Sequence, residues 1–411
     1  MKFLLSFVYH YPLFMAFVWT VGAVLYRLRR TRSFKAHGVP ELKETPLVSI
    51  LVPCHNEGAI VRDTMRYLSQ LDYPCYEIIA IDDGSTDDTG AVLKACQRDF
   101  SKIRLVTLAT NQGKAVALKA GTLCSNSEYV VCVDADAFLG KQALTYIVWH
   151  FINSPRVGAV TGNPRIRNRS TLLGKIQVGE YSTIVGMIKR TQRMLGKVFT
   201  VSGVVAAFRK RALLDVGFWD EDMVTEDIAV SWKLQTRFWD VRYEERALCW
   251  ILTPETLGGL WKQRVRWAQG GGEVILQYGR KLMDYRMRRM WPVLLEYAVS
   301  IAWTYCFFTV VVVAILNVFL DLPEPFNMAT VLPPEWAGSL LALVCLFQAA
   351  VALSFERSIE RGIGKHLFWF IWFPVIYWVI GAAAAFVGLP LAIFKKKGTR
   401  AVWESPDRGF V

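Results

Sequence analysis

Two aspartates one residue apart, Asp134 and Asp136, close the apolar run Val130-Val131-Cys132-Val133. Such a run has the composition of a buried strand, and the carboxyl end of a strand is where open α/β sheets hold their ligands. Paired carboxylates there suit a divalent cation and, through it, a phosphate; a strand-end turn or a helix cap is the competing reading. Three further polar clusters follow apolar runs: Pro53-Cys54-His55-Asn56-Glu57, Asp82-Asp83-Gly84-Ser85-Thr86-Asp87 and Asn111-Gln112-Gly113-Lys114. Four such clusters on one sheet edge are the layout of a nucleotide site. Glu57 is a candidate for a ribose and Lys114 for a phosphate, each weighed against a solvated loop charge. Neither Gly-x-Gly-x-x-Gly nor Gly-x-x-x-x-Gly-Lys-Ser/Thr occurs, which excludes a dinucleotide enzyme and a P-loop ATPase.

The elements that would position these residues alternate. Strands are expected at 47–52, 76–81, 103–108 and 128–133, and helices at 58–70, 86–98 and 113–123, the order of a parallel sheet with helices on both faces. Further strands are expected at 157–161 and 198–205, with a long helix at 171–193. A helix starts at Thr225-Glu226-Asp227, and another carries Gln263-Arg264-Val265-Arg266-Trp267. Gln263, Arg266 and Trp267 fall at i, i+3 and i+4, on one helix face. Arg neutralises phosphate and an indole stacks on a sugar ring; an amphipathic helix with snorkelling arginine is the other reading, applied here to Trp261 and Arg264.

Hydrophobic residues make up 53% of the 411 residues, with 15 Trp and 24 Phe, and they concentrate at the two ends. Residues 4–26 are about 23 largely apolar residues, enough for a bilayer core of about 30 Å. Further apolar stretches cover 293–320, 337–355 and 366–394. The last, at about 29 residues, is too long for one upright span and too short for two, which leaves a single pass and a re-entrant path both open. The net charge of +13 gathers beside these stretches: Arg27, Arg29, Arg30, Arg32 and Lys35; Arg280, Lys281, Arg286, Arg288 and Arg289; Lys395, Lys396 and Lys397. Asp321, Glu324 and Glu335 mark an external loop, and Arg357, Arg361 and Lys365 an internal one. This positive-inside arrangement puts residues 46–290 in the cytosol. It points to a lipid bilayer and away from nucleic acid, for which there is no basic-aromatic module. Eight cysteines without Cys-x-x-Cys suit a reducing compartment, and five histidines without ligand spacing argue against zinc.

Asp83, Asp134-Ala135-Asp136, Thr225-Glu226-Asp227 and Gln263-Arg264-Val265-Arg266-Trp267, in this order, resemble the motifs of family 2 glycosyltransferases, the inverting membrane-bound group that includes cellulose, chitin and hyaluronan synthases. Within that group, Gly162-Asn163-Pro164-Arg165-Ile166-Arg167-Asn168, Trp267-Ala268-Gln269-Gly270-Gly271 and Ser405-Pro406-Asp407-Arg408-Gly409 resemble the poly-N-acetylglucosamine synthases of bacterial biofilms, from Tyr11 to the last residues. The resemblance implies an α/β GT-A (Rossmann-like) cytosolic domain inserted between transmembrane helices in the bacterial inner membrane. It implies Asp227 as general base, Asp83 facing uridine, and Mg²⁺ or Mn²⁺ on Asp134 and Asp136, with Asp136 favoured as direct ligand. It also implies Gln263, Arg266 and Trp267 at the acceptor and diphosphate. The expected donor is UDP-N-acetylglucosamine (UDP-GlcNAc) and the acceptor a growing β-1,6 polysaccharide, made processively and moved across the membrane with a small membrane partner subunit. A hyaluronan- or chitin-like synthase, a non-processive transferase to a lipid and a non-catalytic nucleotide-sensing module are the alternatives. The expected divisions are a transmembrane helix at 1–26, a basic linker at 27–45, the cytosolic domain at 46–290 with an interfacial helix at 257–280, transmembrane helices at 291–394 and a tail at 395–411.

Overall fold

The computed structural model describes residues 1–34, 38–320, 322–324, 326, 337–373, 377–396 and 398–400. The Ser405–Gly409 motif, the loop acids Asp321 and Glu335, and the basic residues Lys35 and Lys397 lie outside the described residues.

The sheet is built on strands whose two faces are both apolar. β1 (Val48–Cys54) is buried along its whole length and pairs in parallel with β2 (Tyr76–Asp83) and β4 (Tyr129–Val133); β2 pairs in parallel with β3 (Ile103–Leu108). Alternate residues serve opposite layers. Ile50, Ile78, Ala80 and Val131 enter one core cluster, whereas Leu51, Ile79, Ile81, Val130 and Cys132 enter another. The helices α2 (Gly58–Leu68), α3 (Thr89–Asp99) and α4 (Lys114–Cys124) cover these faces. The chain runs outward from β1 through β2 to β3, then returns to place β4 on the other side of β1. That reversal opens a crevice at the carboxyl ends of β1 and β4, where side chains and ligand can enter.

Beyond β4 the parallel expectation gives way to a mixed sheet. β5 (Phe138–Leu139), β6 (Val157–Ile166), β7 (Val205–Arg209) and β8 (Asp240–Ile251) complete the order β3-β2-β1-β4-β7-β6-β8-β5. β7 is antiparallel to both β4 and β6, and β6 is parallel to β8. The strand expected at 198–205 is largely absent: only Val205 belongs to β7. The preceding N–H groups find side chains instead of a strand, Val198 donating to Gln235 Oε1 and Val201 to Ser231 Oγ, both on α9 (Glu226–Thr236). β8 was not anticipated, because Arg242, Glu244, Glu245 and Arg246 interrupt its apolar pattern; these charges find partners in Asp240, His150 and Arg190 or within the strand itself.

α5 (Ala143–Ile152) precedes β6. The long helix expected at 171–193 comprises α6 (Leu172–Glu180), a π-helical segment Tyr181–Met187 and α7 (Ile188–Leu195). α8 (Lys210–Val216) follows β7, and α10 (Leu257–Leu282) carries the Gln263–Trp267 segment.

α1 (Lys2–Phe34), α11 (Trp291–Phe319) and α12 (Ala337–Glu356) contain three segments long and apolar enough to cross a membrane. Within the ambiguous stretch at 366–394, the described residues form α13 (Leu367–Phe370) and α14 (Trp378–Phe394). The residues beyond α14 bear on its path. Lys395 bonds Asp222 O and Glu273 Oε2, and Arg400 reaches Gln112 Oε1 at 2.5 Å and Glu221 at 3.4 Å, so the chain returns to the face of the sheet domain. α12 is locked to the same domain by Glu356, wholly buried between Arg165 of β6 and Arg190 of α7, the latter at 2.7 Å. Truncating one member of a buried ion network strands the others. Glu356→Ala should therefore destabilise the protein by about 3–5 kcal/mol, read as a fall in the thermal midpoint of the detergent-solubilised protein.

Candidate active site

The crevice at β1 and β4 is organised by Lys114. Its ammonium donates to Asp134 Oδ1 at 2.6 Å and lies 3.5 Å from Glu226 Oε1. Burial disfavours the charged form, but Asp134, Glu226 and Asp227 together reverse this and hold the lysine's pKa above its ordinary value. Lys114 therefore stays charged and ties the β4 end to the start of α9.

Asp83 is what places Lys114. Fully buried at the end of β2, its carboxylate accepts N–H groups from Gln112 (Oδ1) and Gly113 (Oδ2), both at 2.8 Å. Gly113, at φ 91°, adopts a conformation that suits glycine and turns the chain into α4 at Lys114. Gly84, the residue after Asp83, has φ 62°, and a Cβ there would lie 2.5 Å from Asn111 N, so the two loops are in direct backbone contact. Asp83 is thus engaged by the neighbouring loop through two of its lone pairs. Glu57 is buried at the N-terminus of α2, where its N–H donates to Thr89 Oγ1 at 2.7 Å and its carbonyl accepts from Val61 at 2.9 Å.

Asp227 stands in the first turn of α9. Its Oδ2 accepts the Gly203 N–H at 3.1 Å and its Oδ1 the Ile228 N–H at 2.9 Å. Burial and the adjacent Glu226 push its pKa up to about 6, against the pull of Lys114, Arg266 and the Gly203 N–H. The helix dipole alone would lower it; desolvation wins. Arg266 acts on Asp227 from α10, and it also acts, with Asp136, on Tyr181 of the π segment, so Asp136, Arg266 and Asp227 share one electrostatic neighbourhood. Asp136 is itself buried. Gln263 keeps a buried Oε1 with no hydrogen-bond partner among the described residues.

Residues 45–270 match the family model described as glycosyltransferase like family 2. The chain belongs to that family. Over its length this family 2 glycosyltransferase is 41% identical to a poly-beta-1,6-N-acetyl-D-glucosamine synthase of Staphylococcus epidermidis, covering 98% of each chain. It is 40% identical to the synthase of that name from Staphylococcus aureus (strain COL), again over 98% of each. In three dimensions it is similar to the mannosyltransferase PcManGT of Pyrobaculum calidifontis, solved with GDP-Man and Mn²⁺: TM-score 0.60, 18% identity, 96% of this chain and 100% of that one. The expected GT-A fold is thereby shown.

The expected site residues of the transferase do not all stand alike. Lys114, Asp134 and Asp227 meet, with Asp136 and Arg266 close by, whereas Asp83 and Glu57 are reached through loops. Two parts of the site had no separate expectation. Glu226 lay inside the Thr225-Glu226-Asp227 motif, but nothing in the sequence showed that it would face Lys114. Arg264, read as snorkelling at an interface, is instead buried: it donates to Glu180 Oε2 and Tyr377 Oη, both at 2.8 Å, with its guanidinium 4.3 Å from the Trp267 ring centre. Its partners are 84 and 113 residues away, beyond the reach of a helix-face argument. Asp83→Ala would remove the acceptor of the part-buried Gln112 N–H and leave the buried Gly113 N–H with only its longer bond to Asn111 Oδ1, at about 1–3 kcal/mol. The expected result is a lowered thermal midpoint together with weakened UDP binding, measured by calorimetry on the same preparation.

Proposed function

We propose that the protein is a processive, inverting synthase that polymerises N-acetylglucosamine from UDP-GlcNAc into poly-β-1,6-N-acetyl-D-glucosamine and moves the chain across the bacterial inner membrane, its catalytic domain in the cytosol. The observation that carries this reading is the 41% identity over 98% of both chains to a relative named for that product. Three segments able to span a bilayer, and the contacts of Lys395 and Arg400 with the catalytic domain, support the placement. The bilayer, the growing polysaccharide and, as the resemblance implies, a small membrane subunit are its partners.

In this reading Asp227 accepts the proton of the acceptor hydroxyl while that oxygen bonds the anomeric carbon and the bond to the UDP oxygen breaks on the opposite side. A base with a pKa near 6 is mostly ionised at neutral pH yet keeps proton affinity. Asp134 and Asp136 would hold Mg²⁺ or Mn²⁺, which supplies a Lewis acid for the departing diphosphate. The fit is good: the donors are carboxylate oxygens, and such ions bind through one or two carboxylates plus substrate phosphate. Lys114, paired to Asp134, adds a fixed positive charge at the same place. Asp83 and Glu57 serve the nucleoside side. Gln263 Oε1, buried without a partner among the described residues, is suited to a substrate hydroxyl, and the Trp267 ring, backed by Arg264, to a sugar face.

Membranes supplied with labelled UDP-GlcNAc should yield a long polymer degraded by a β-1,6-specific hydrolase; a glycolipid product would defeat the reading. Asp227→Asn should abolish polymer while UDP still binds. For the wild-type enzyme, lowering pH protonates Asp227, so kcat/KM should fall about tenfold per unit below about pH 6. Chelation should abolish turnover, and added Mg²⁺ or Mn²⁺ should restore it.

A further inference from the structure

Residues 189–192 of α7 are four consecutive polar side chains, all buried. A helix enclosed on every side must satisfy each of them separately. Arg190 meets Glu356 and Glu245; Thr191 donates to Trp19 O of α1; Gln192 contacts Glu296 of α11 and accepts from Phe199 N. Lys189 differs. Its ammonium donates to two hydroxyls, Ser202 Oγ at 2.5 Å and Thr161 Oγ1 at 3.3 Å, and among the described residues no carboxylate forms an ion pair with it. A buried lysine served only by hydroxyls is costly, and burial brings its pKa down to about 7. The one charge that opposes this fall is Asp227.

One of the hydroxyls that hold Lys189, that of Ser202, belongs to the segment that holds Asp227, and the other, that of Thr161 on β6, is bonded to the same segment. Ser202 N donates to Thr161 Oγ1 at 2.8 Å, and the next residue, Gly203, donates its N–H to Asp227 Oδ2. A Cβ on Gly203 would stand 3.1 Å from that oxygen and 3.5 Å from Lys114 Nζ, so backbone, base and Lys114 converge within van der Waals distance. We propose that Lys189 is a positioning residue for Asp227: its ammonium clamps the Ser202-Gly203 segment that donates to the carboxylate and sets a positive charge behind it. The other charged groups that act on Asp227 are Glu226, beside it on α9, Lys114 on α4 and Arg266 on α10, and all three are left in place when Lys189 alone is changed. The inference rests on the reading of Asp227 as the base.

The test is the pH profile of kcat/KM for the full-length enzyme in membrane vesicles with UDP-GlcNAc. Removing a positive charge from behind a carboxylate makes it harder to ionise. Lys189→Met should therefore move the acid limb to higher pH by about one unit, a roughly fivefold loss at pH 6 that approaches tenfold at lower pH, and Lys189→Arg should bring the limb back towards wild type. A Lys189→Met limb that coincides with wild type, or a loss equal at every pH, would overturn the proposal. Should the Met variant not accumulate, Ser202→Ala takes its place: lower kcat and a limb displaced in the same direction are expected, and wild-type behaviour in both overturns it. Asp227→Asn is measured alongside. If it stays active, the base assignment fails and Lys189 with it; if it is inactive while Lys189→Met and Ser202→Ala keep the wild-type limb, only the role of Lys189 fails.

Discussion

Three carboxylates, Asp134, Glu226 and Asp227, crowd one crevice, and their mutual repulsion has to be held in check by charge from the protein. Lys114 does most of this, in contact with Asp134 and near Glu226, and its own charge is secured by the acids it neutralises. The balance is left incomplete by the geometry: Asp227 lies deep enough, and close enough to Glu226, that its pKa stays up near 6. A carboxylate of that strength suits the general-base role proposed for Asp227 near neutrality. Much of the local architecture keeps Lys114 in place, from the Asp83 carboxylate on the Gln112-Gly113 backbone to the turn at Gly113.

A second constraint joins the transferase domain to the bilayer. Amphipathic contacts alone would leave the membrane helices free to slide, but Glu356 at the end of α12 is enclosed by Arg165 and Arg190. The π segment lies at this junction, since a Cβ on Gly186 would come 3.0 Å from Glu356 Oε1. It also changes the facing of α7, whose next residues serve the membrane side through Arg190 and Thr191 and the catalytic side through Lys189. π segments recur at functional sites because the altered register places side chains that a regular helix would not. α10 is likewise fastened, through Arg264, to Glu180 and to Tyr377 before α14. Catalytic and membrane parts thus share buried charges.

How much of this was legible depends on the range of the forces involved. β1 to β4 could be read because each is a short apolar run with polar residues at its end, a signal contained within a few residues. α9 and α10 were readable from Thr225-Glu226-Asp227 and from the i, i+3, i+4 spacing of Gln263, Arg266 and Trp267. The segment at 198–205 misled because its apolar residues are buried without a sheet partner, their N–H groups being taken by Gln235 and Ser231. β8 was missed for the opposite reason, its charges being compensated only across space. The stretch at 366–394 could not be resolved by counting residues, since the return at Arg400 depends on contacts with Glu221 and Gln112.

The sequence by itself determined the chemistry available: an acid pair after β4, an acid at the head of α9, a basic aromatic helix and apolar segments of membrane length. Side-chain type, helical or strand period and local charge are properties of neighbours in the chain, so they can be read without a fold. Only the tertiary structure decided that Lys114 would sit between Asp134 and Glu226, that Asp227 would be raised rather than lowered, and that Lys189 and Arg264 would stand buried beside the site. Those outcomes depend on desolvation and on partners tens to hundreds of residues apart. Both come into being when the chain closes on itself.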